Sequence, residues 1–173
     1  GDIRRARELA EEAISLAARG RARALTLLRW CDMEWNDVRR CRELLTMALE
    51  EAEDDLLDLA PFCDNLSWVE LLSGNIDRGL ALSERSVRLV ESSGLPAPGL
   101  IGIAWARSIL GRPSRDDWTR AWSLEGRLTG MDAYTTPGLF HGQSLIWAGD
   151  LDRAREELDA ADRACVERGQ EGM

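Results

Sequence analysis

The single histidine, His141, stands three residues before Ser144 and nine before Asp150. Serine, histidine and aspartate are the parts of an acyl-transfer triad, in which the imidazole takes the hydroxyl proton and the carboxylate orients the ring. Here the spacing puts Ser144 on the neighbouring face of the same short helix as His141, with no sharp nucleophile turn between strand and helix. The four cysteines, Cys31, Cys41, Cys63 and Cys165, form no C-x-x-C pair and have one histidine to share. A zinc site needs about four nitrogen or sulfur ligands at close spacing, so these read as buried reduced thiols of a cytoplasmic protein. All 22 basic residues are arginine, which removes the lysine of a phosphate-binding loop and Schiff-base chemistry. The acidic run Glu50-Glu51-Ala52-Glu53-Asp54-Asp55, with Asp58 and Asp64 beyond it, lacks the alternating ligands and turn glycine of a calcium loop. It reads as a solvated helix end and linker, and acidic charge there opposes the helix dipole, so that end is expected to fray. No catalytic residue, metal site or cofactor is expected, and the chain reads as a non-enzyme.

What remains is the chemistry of binding. Trp30, Trp68 and Trp105 recur at nearly equal steps, and Gln143 takes the next position in the series. Tryptophan offers large contact area at little cost in side-chain entropy. The ladder therefore has two readings, a set of anchors for a peptide, protein or small-molecule effector in a groove, or rings packed between neighbouring units as core. Arg29, Asp32, Glu34, Glu70 and Arg107 flank the ladder. They are either polar contacts for a charged ligand or ion pairs between units, worth less than about 1 kcal/mol each. The candidate binding set is Trp30, Trp68, Trp105, Gln143, Arg29 and Arg107. Trp35, Trp118, Trp122 and Trp147 fall outside the register, and Trp147, directly before a turn, reads as packing between helices.

The ladder keeps time with a longer pattern. Gly149-Asp150-Leu151-Asp152-Arg153-Ala154-Arg155-Glu156 repeats the opening phrase Gly1-Asp2-Ile3-Arg4-Arg5-Ala6-Arg7-Glu8, and versions recur at Asn36-Asp37 and Gly74-Asn75. A degraded copy begins at Gly111-Arg112-Pro113. The turn positions 36, 74, 111 and 149 are 38, 37 and 38 residues apart, and Pro61, Pro98 and Pro137 keep the same beat. Proline suits the first turn of a helix, Thr136 before Pro137 is a fitting N-cap, and Gly or Asn ends a helix in left-handed geometry. Cys41, Leu45 and Ala48, and Ala154, Leu158, Ala161 and Cys165, form apolar stripes at helical spacing. Each unit is a helical hairpin that buries its apolar face only by stacking on its neighbours.

Composition agrees. Leu, Arg, Ala and Glu supply 85 of 173 residues, against 5 Val, 7 Ile and 6 Thr, which points to an all-α chain. A net charge of −9 and the absence of any run of about 18 apolar residues speak against direct contact with nucleic acid or membrane. The expected architecture is an α-solenoid of about nine helices in one domain. A leading helix over 2–19 precedes pairs at 22–35 with 38–54, 61–73 with 76–93, 98–110 with 114–129, and 137–148 with 151–168. The repeats span about 1–19 (partial), 20–56, 57–95, 96–131 and 132–170, and the missing caps at both ends mark a fragment of a longer protein.

Hairpins with Gly-Asp at the inner turn and a small residue near the start of the second helix resemble tetratricopeptide repeats, with a period of 37–38 in place of 34. The phrases Leu145-Ile146-Trp147-Ala148-Gly149-Asp150-Leu151-Asp152-Arg153-Ala154-Arg155-Glu156 and Glu167-Arg168-Gly169-Gln170-Glu171 resemble the helical middle region of large ATP-binding LuxR-type transcriptional regulators of actinobacteria, related to the maltose-regulon activator. That resemblance implies a cytoplasmic bacterial protein with a neighbouring ATPase module before the repeats and a DNA-binding module after them. It also implies an effector-sensing or protein-interaction role. Neither flanking module lies in these residues. The alternative is a stand-alone tetratricopeptide-type scaffold.

Overall fold

The computed structural model describes residues 3–16, 21–33, 37–52, 56–91, 95, 97–124 and 136–167. These form helices and no strand. In chain order they are α1 (Ile3–Leu16), α2 (Arg21–Met33), α3 (Val38–Glu51), α4 (Leu56–Leu72), α5 (Ile76–Val90), α6 (Gly99–Ile109), α7 (Arg115–Trp122), α8 (Pro137–Ala148) and α9 (Leu151–Glu167). Each helix packs on the next, and the first helices of successive hairpins also meet, α4 on α6 and α6 on α8. This is the side-by-side stacking of an α-solenoid.

The inner turns show why the spacing repeats. At Gly74 the Asn75 N–H donates to the Glu70 carbonyl and the Gly74 N–H to that of Leu71. Arg112 with Arg107 and Gly111 with Ser108 repeat this pair of bonds, and so do Asp150 with Leu145 and Gly149 with Ile146. The three glycines have φ of 82°, 69° and 79°, so each closes a helix with the same left-handed stop. The following helix is capped from the side chain at Asp37, whose Oδ1 accepts the Arg40 N–H at 2.9 Å, and Thr136 caps α8 in front of Pro137. Asn75 spends its amide differently, donating to Glu70 at 2.6 Å.

Close contact between helices rests on small side chains. Cys41, Leu45 and Ala48 are fully buried, as are Ser67 and Ser83, whose hydroxyls meet at 2.6 Å between α4 and α5. A Cβ on Gly99 would lie 2.5 Å from the Ser83 carbonyl oxygen, so α5 and α6 touch backbone to side. In α9, Ala154 is buried, whereas Leu158, Ala161 and Cys165 are half-buried.

Two boundaries differ from the sequence reading. Residues 57–60 are not a linker: α4 begins at Leu56 and carries Pro61 inside it. The proline removes one ladder hydrogen bond at a cost of about 3 kcal/mol. The extra turn buries Leu59 and Ala60, and a buried leucine contributes about 1.5–3 kcal/mol. Ser86 of α5 also donates to the Ala60 carbonyl at 2.9 Å. The second helix of the third pair, α7, ends at Trp122 and residues 125–135 lie outside the described residues, as do Glu34, Trp35, Glu53, Asp54, Asp55 and the side chains of Cys31, Asp32 and Asp58.

Candidate functional site

Trp68 of α4 and Trp105 of α6 face each other across successive first helices, ring centroids 5.5 Å apart. Phe140 of α8 reaches past α6: its ring stacks on Trp68 at 4.5 Å and meets Trp105 edge-on at 5.2 Å. Aromatic pairs of this kind contribute roughly 0.5–1.5 kcal/mol each beyond the area they bury. The seam therefore ties three hairpins together. Trp105 is buried and Trp68 half-buried against the same core cluster. The Trp30 side chain lies outside the described residues, and Gln143 is half-buried on α8.

Open space lies beside this seam, at the inner-turn end of the hairpins. A cleft of ≈ 1370 Å³ reaches from Gly74 and Gly111 to Asp150 and Arg153, and Trp105, Trp118, Trp122 and Trp147 line it. Trp147 of α8, 57% exposed, stands 5.8 Å from Trp105 of α6, so it packs between helices on one side and walls the cleft on the other. Trp118 lies 4.8 Å from the His141 ring and Trp122 meets that ring edge-on at 6.3 Å. His141 Nδ1 is 3.2 Å from Glu157 of α9, while the Ser144 hydroxyl donates to the Phe140 carbonyl at 2.8 Å. Histidine and serine are thus engaged with different partners. The indole N–H of Trp105 is buried with no acceptor among the described residues.

The cleft has a readable local cause. The fourth residue of each second helix sits where the hairpin closes: Cys41, Gly79 and Ala154 are small there, and all three are buried. In the third hairpin the turn is longer, Gly111-Arg112-Pro113-Ser114, and the fourth residue of α7 is Trp118. The indole at that place lines the cleft, where α6 and α7 meet less closely than the helices of the other hairpins. The degraded repeat at residue 111 was the signal. Register alone passes over Trp118, Trp122, Trp147 and His141, because a departure from the repeat carries no weight in a search for repeats.

The predicted polar residues go elsewhere. Arg29, 3% exposed, runs into the interior and donates to Asn65 of α4; burial lowers its pKa to about 10, against the pull of Cys41 and Asp64. Arg107 pairs with both oxygens of Asp117 at 2.8 Å and reaches Glu84 at 3.4 Å. Those contacts, the Asp117 hydrogen bond first, raise its pKa. Glu70 is fully buried and gripped by Arg42 at 2.9 and 3.2 Å, by Asn75, and by Arg78 at 3.3 Å. Burial pushes its pKa up, the Arg42 and Asn75 bonds pull it down, and the bonds win. Asp64 is no part of a solvated acidic run. It is half-buried on α4 with Oδ1 sealed from water and unpartnered, and burial carries its pKa to about 7 despite the Trp68 N–H and Arg29. Glu50 and Glu51 are exposed at the end of α3. Cys41 and Cys63 are buried thiols and Cys165 is half-buried. No group of three potential metal ligands occurs among the described residues, and no described helix is long and apolar enough to cross a membrane.

The stacking of hairpins, the shared turn geometry and the aromatic seam define an all-α, tetratricopeptide-like helical-repeat solenoid. Among the solved structures that share it are the following two. The nearly identical TPR-like repeats of a kinesin light chain-type protein from Podosopora anserina superpose with a TM-score of 0.62 at 14% identity, covering 98% of this chain and 90% of that one. BtubC (BKLC) from P. vanneervenii superposes with a TM-score of 0.60 at 19% identity, covering 100% of this chain and 77% of that one. No protein-family model matches the chain, and no curated protein matches it in sequence.

Proposed function

We propose that this chain is a non-enzymatic binding segment that takes a peptide, protein or small-molecule effector at the cleft beside its first helices. The observation that carries the reading is the cleft of ≈ 1370 Å³ walled by four tryptophans from three helices. Sites of this kind are concave, mostly apolar and set with a few polar groups. Trp105 and Trp147 are the contact rings. Trp68 belongs to the seam beside them, Trp30 and Gln143 share its register in the sequence, Arg29 ties α2 to α4, and Arg107 ties α6 to α5 and α7. The finer reading is that the segment senses an effector for a multidomain bacterial transcriptional regulator in the cytoplasm, between an ATPase module and a DNA-binding module. A solenoid suits that task, since a small rotation at each repeat adds up to a change of curvature.

Four of the seven tryptophans line the cleft, so intrinsic fluorescence reports on it directly. A panel of small metabolites and short peptides is titrated in, and an effector is expected to quench or blue-shift the emission, with Trp147→Ala weakening the response. A Walker motif upstream and a helix-turn-helix downstream in the parent reading frame would support the regulator context. A reading frame with neither would remove it. The second reading, a stand-alone protein–protein scaffold, draws support from the likeness to kinesin light chain-type repeats. It is favoured if no small molecule moves the fluorescence and a single defined protein binds in its place.

A further inference from the structure

The geometry points to an anionic polycyclic or aromatic molecule, one flat apolar body bearing a carboxylate or similar acid, as the ligand of the tryptophan cleft. The inference rests on the reading of the cleft as a binding site. Its apolar half comes from the walls: Trp118 and Trp122 bracket His141, and Trp147 stands across from Trp105. Indole rings from three helices around one space offer stacking and edge-on contacts to a flat π-system that an aliphatic chain of the same area does not use. Its acidic half comes from the rim. The charged side chains lining the cleft, His141 aside, are Arg115, Arg153 and Asp150, a positive excess on a chain whose net charge is −9. Arg115 is exposed with no acidic partner among the described residues, and Arg153 is held by Asp150 at a slack 3.4 Å. Guanidiniums at the rim offer a carboxylate planar donor forks, whereas a cation would meet like charge there. Inside, the buried Trp105 N–H lacks an acceptor and belongs to a residue that lines the cleft. The hydroxyls of Ser108 and Ser144 are turned back onto their own helix carbonyls at 2.9 and 2.8 Å. No acidic side chain other than Asp150 competes for the arginines from the lining.

The test uses three probes with one ring and three charges: 1-pyrenebutanoate, 1-pyrenebutanol and 1-pyrenemethylammonium. Indole emission overlaps pyrene absorption, so energy transfer from the cleft tryptophans reads binding on the whole chain. The butanoate is expected to bind at least about tenfold tighter than the ammonium, and the difference should shrink as added salt screens the exposed rim. Replacing both arginines (Arg115→Gln with Arg153→Gln) should abolish that preference, while Arg39→Gln, an exposed arginine on α3, should leave it. Trp147→Ala, at a largely exposed position, should weaken all three probes alike with the helical circular dichroism unchanged. If butanol or ammonium binds as well as butanoate, the acidic ligand class is overturned and the cleft reading survives. If no probe shows transfer at any salt concentration while the helical circular dichroism is intact, the aromatic-acid ligand is overturned, and the metabolite and peptide titration decides the cleft reading.

Discussion

Asp64 and Glu70 lie six residues apart on one helix and titrate in opposite directions, because the partners of Glu70 outweigh its burial and those of Asp64 do not. Glu70 is buried among two guanidiniums and an amide that favour its charged form. Asp64 has one oxygen sealed without a partner, and desolvation carries its pKa from 3.8 to about 7. With the folded value above the unfolded one, the native state holds the extra proton between those values, so stability is full at the acid end and declines as pH rises through about 7. Glu70 works the other way, contributing stability above its unfolded pKa and losing it as pH falls. Asp64→Asn should therefore raise the melting temperature at pH 8 and leave it nearly unchanged at pH 4. A variant that melts lower than the parent at pH 8 would show that the charged carboxylate is the favoured form. Neither effect was legible in the sequence. Asp64 reads there as one more acid beside a cluster, and only the placement of Arg29, Asn65 and Trp68 around it makes it different.

At the scale of elements, the sequence spoke clearly wherever a local rule acts alone. The left-handed stops at Gly74, Gly111 and Gly149, the caps at Asp37 and Thr136, and the second-helix stripe through Cys41 all follow from residue type and spacing. It failed at Pro61, where a local rule met a tertiary gain: proline marks a helix start by propensity, but burying Leu59 and Ala60 draws the helix back to Leu56. Glycines inside the helices give a second test of packing against propensity. A Cβ on Gly99 meets a backbone oxygen of Ser83 at 2.5 Å, whereas on Gly79 it meets Cγ and Cδ2 of the buried Leu71 at 2.6 Å and the Ser67 carbonyl oxygen at 3.1 Å. Alanine is the better helix former at both sites by up to about 1 kcal/mol. Gly99→Ala should nonetheless destabilise the fold by roughly 1–3 kcal/mol in urea titration, the cost of overpacking against a rigid neighbour. Gly79→Ala should cost less, because the side chain of Leu71 can turn where a backbone oxygen cannot. A Gly99→Ala variant as stable as the parent would mean that α5 and α6 are free to shift apart.

Across the whole molecule, each hairpin rests on its neighbours and the core runs as a chain of clusters, one under α1 to α4 and another from α4 to α8. The middle helices are buried on two sides, whereas α9 buries Ala154 and little else. Native-state hydrogen exchange should therefore grade along the chain, with amides of α4, α5 and α6 slowest and those of α9 faster by about a hundredfold or more. Uniform protection from α4 to α9 would reveal a single cooperative globule. That gradient also places the cleft, which opens between α6, α7 and α8, toward the softer end of the array, where a bound ligand has most to order.

Helical content, the beat of slightly under forty residues and the hairpin pairing were written in the sequence, since each depends on contacts within a turn or between adjacent helices. The tryptophan ladder was visible as a period, but whether its rings join a seam or face a groove depends on Phe140, which comes from two hairpins away. The cleft and its walls belong to the tertiary structure alone. They arise where the third hairpin breaks the pattern at Trp118, and how closely two helices meet around a large side chain is decided only when their neighbours hold them.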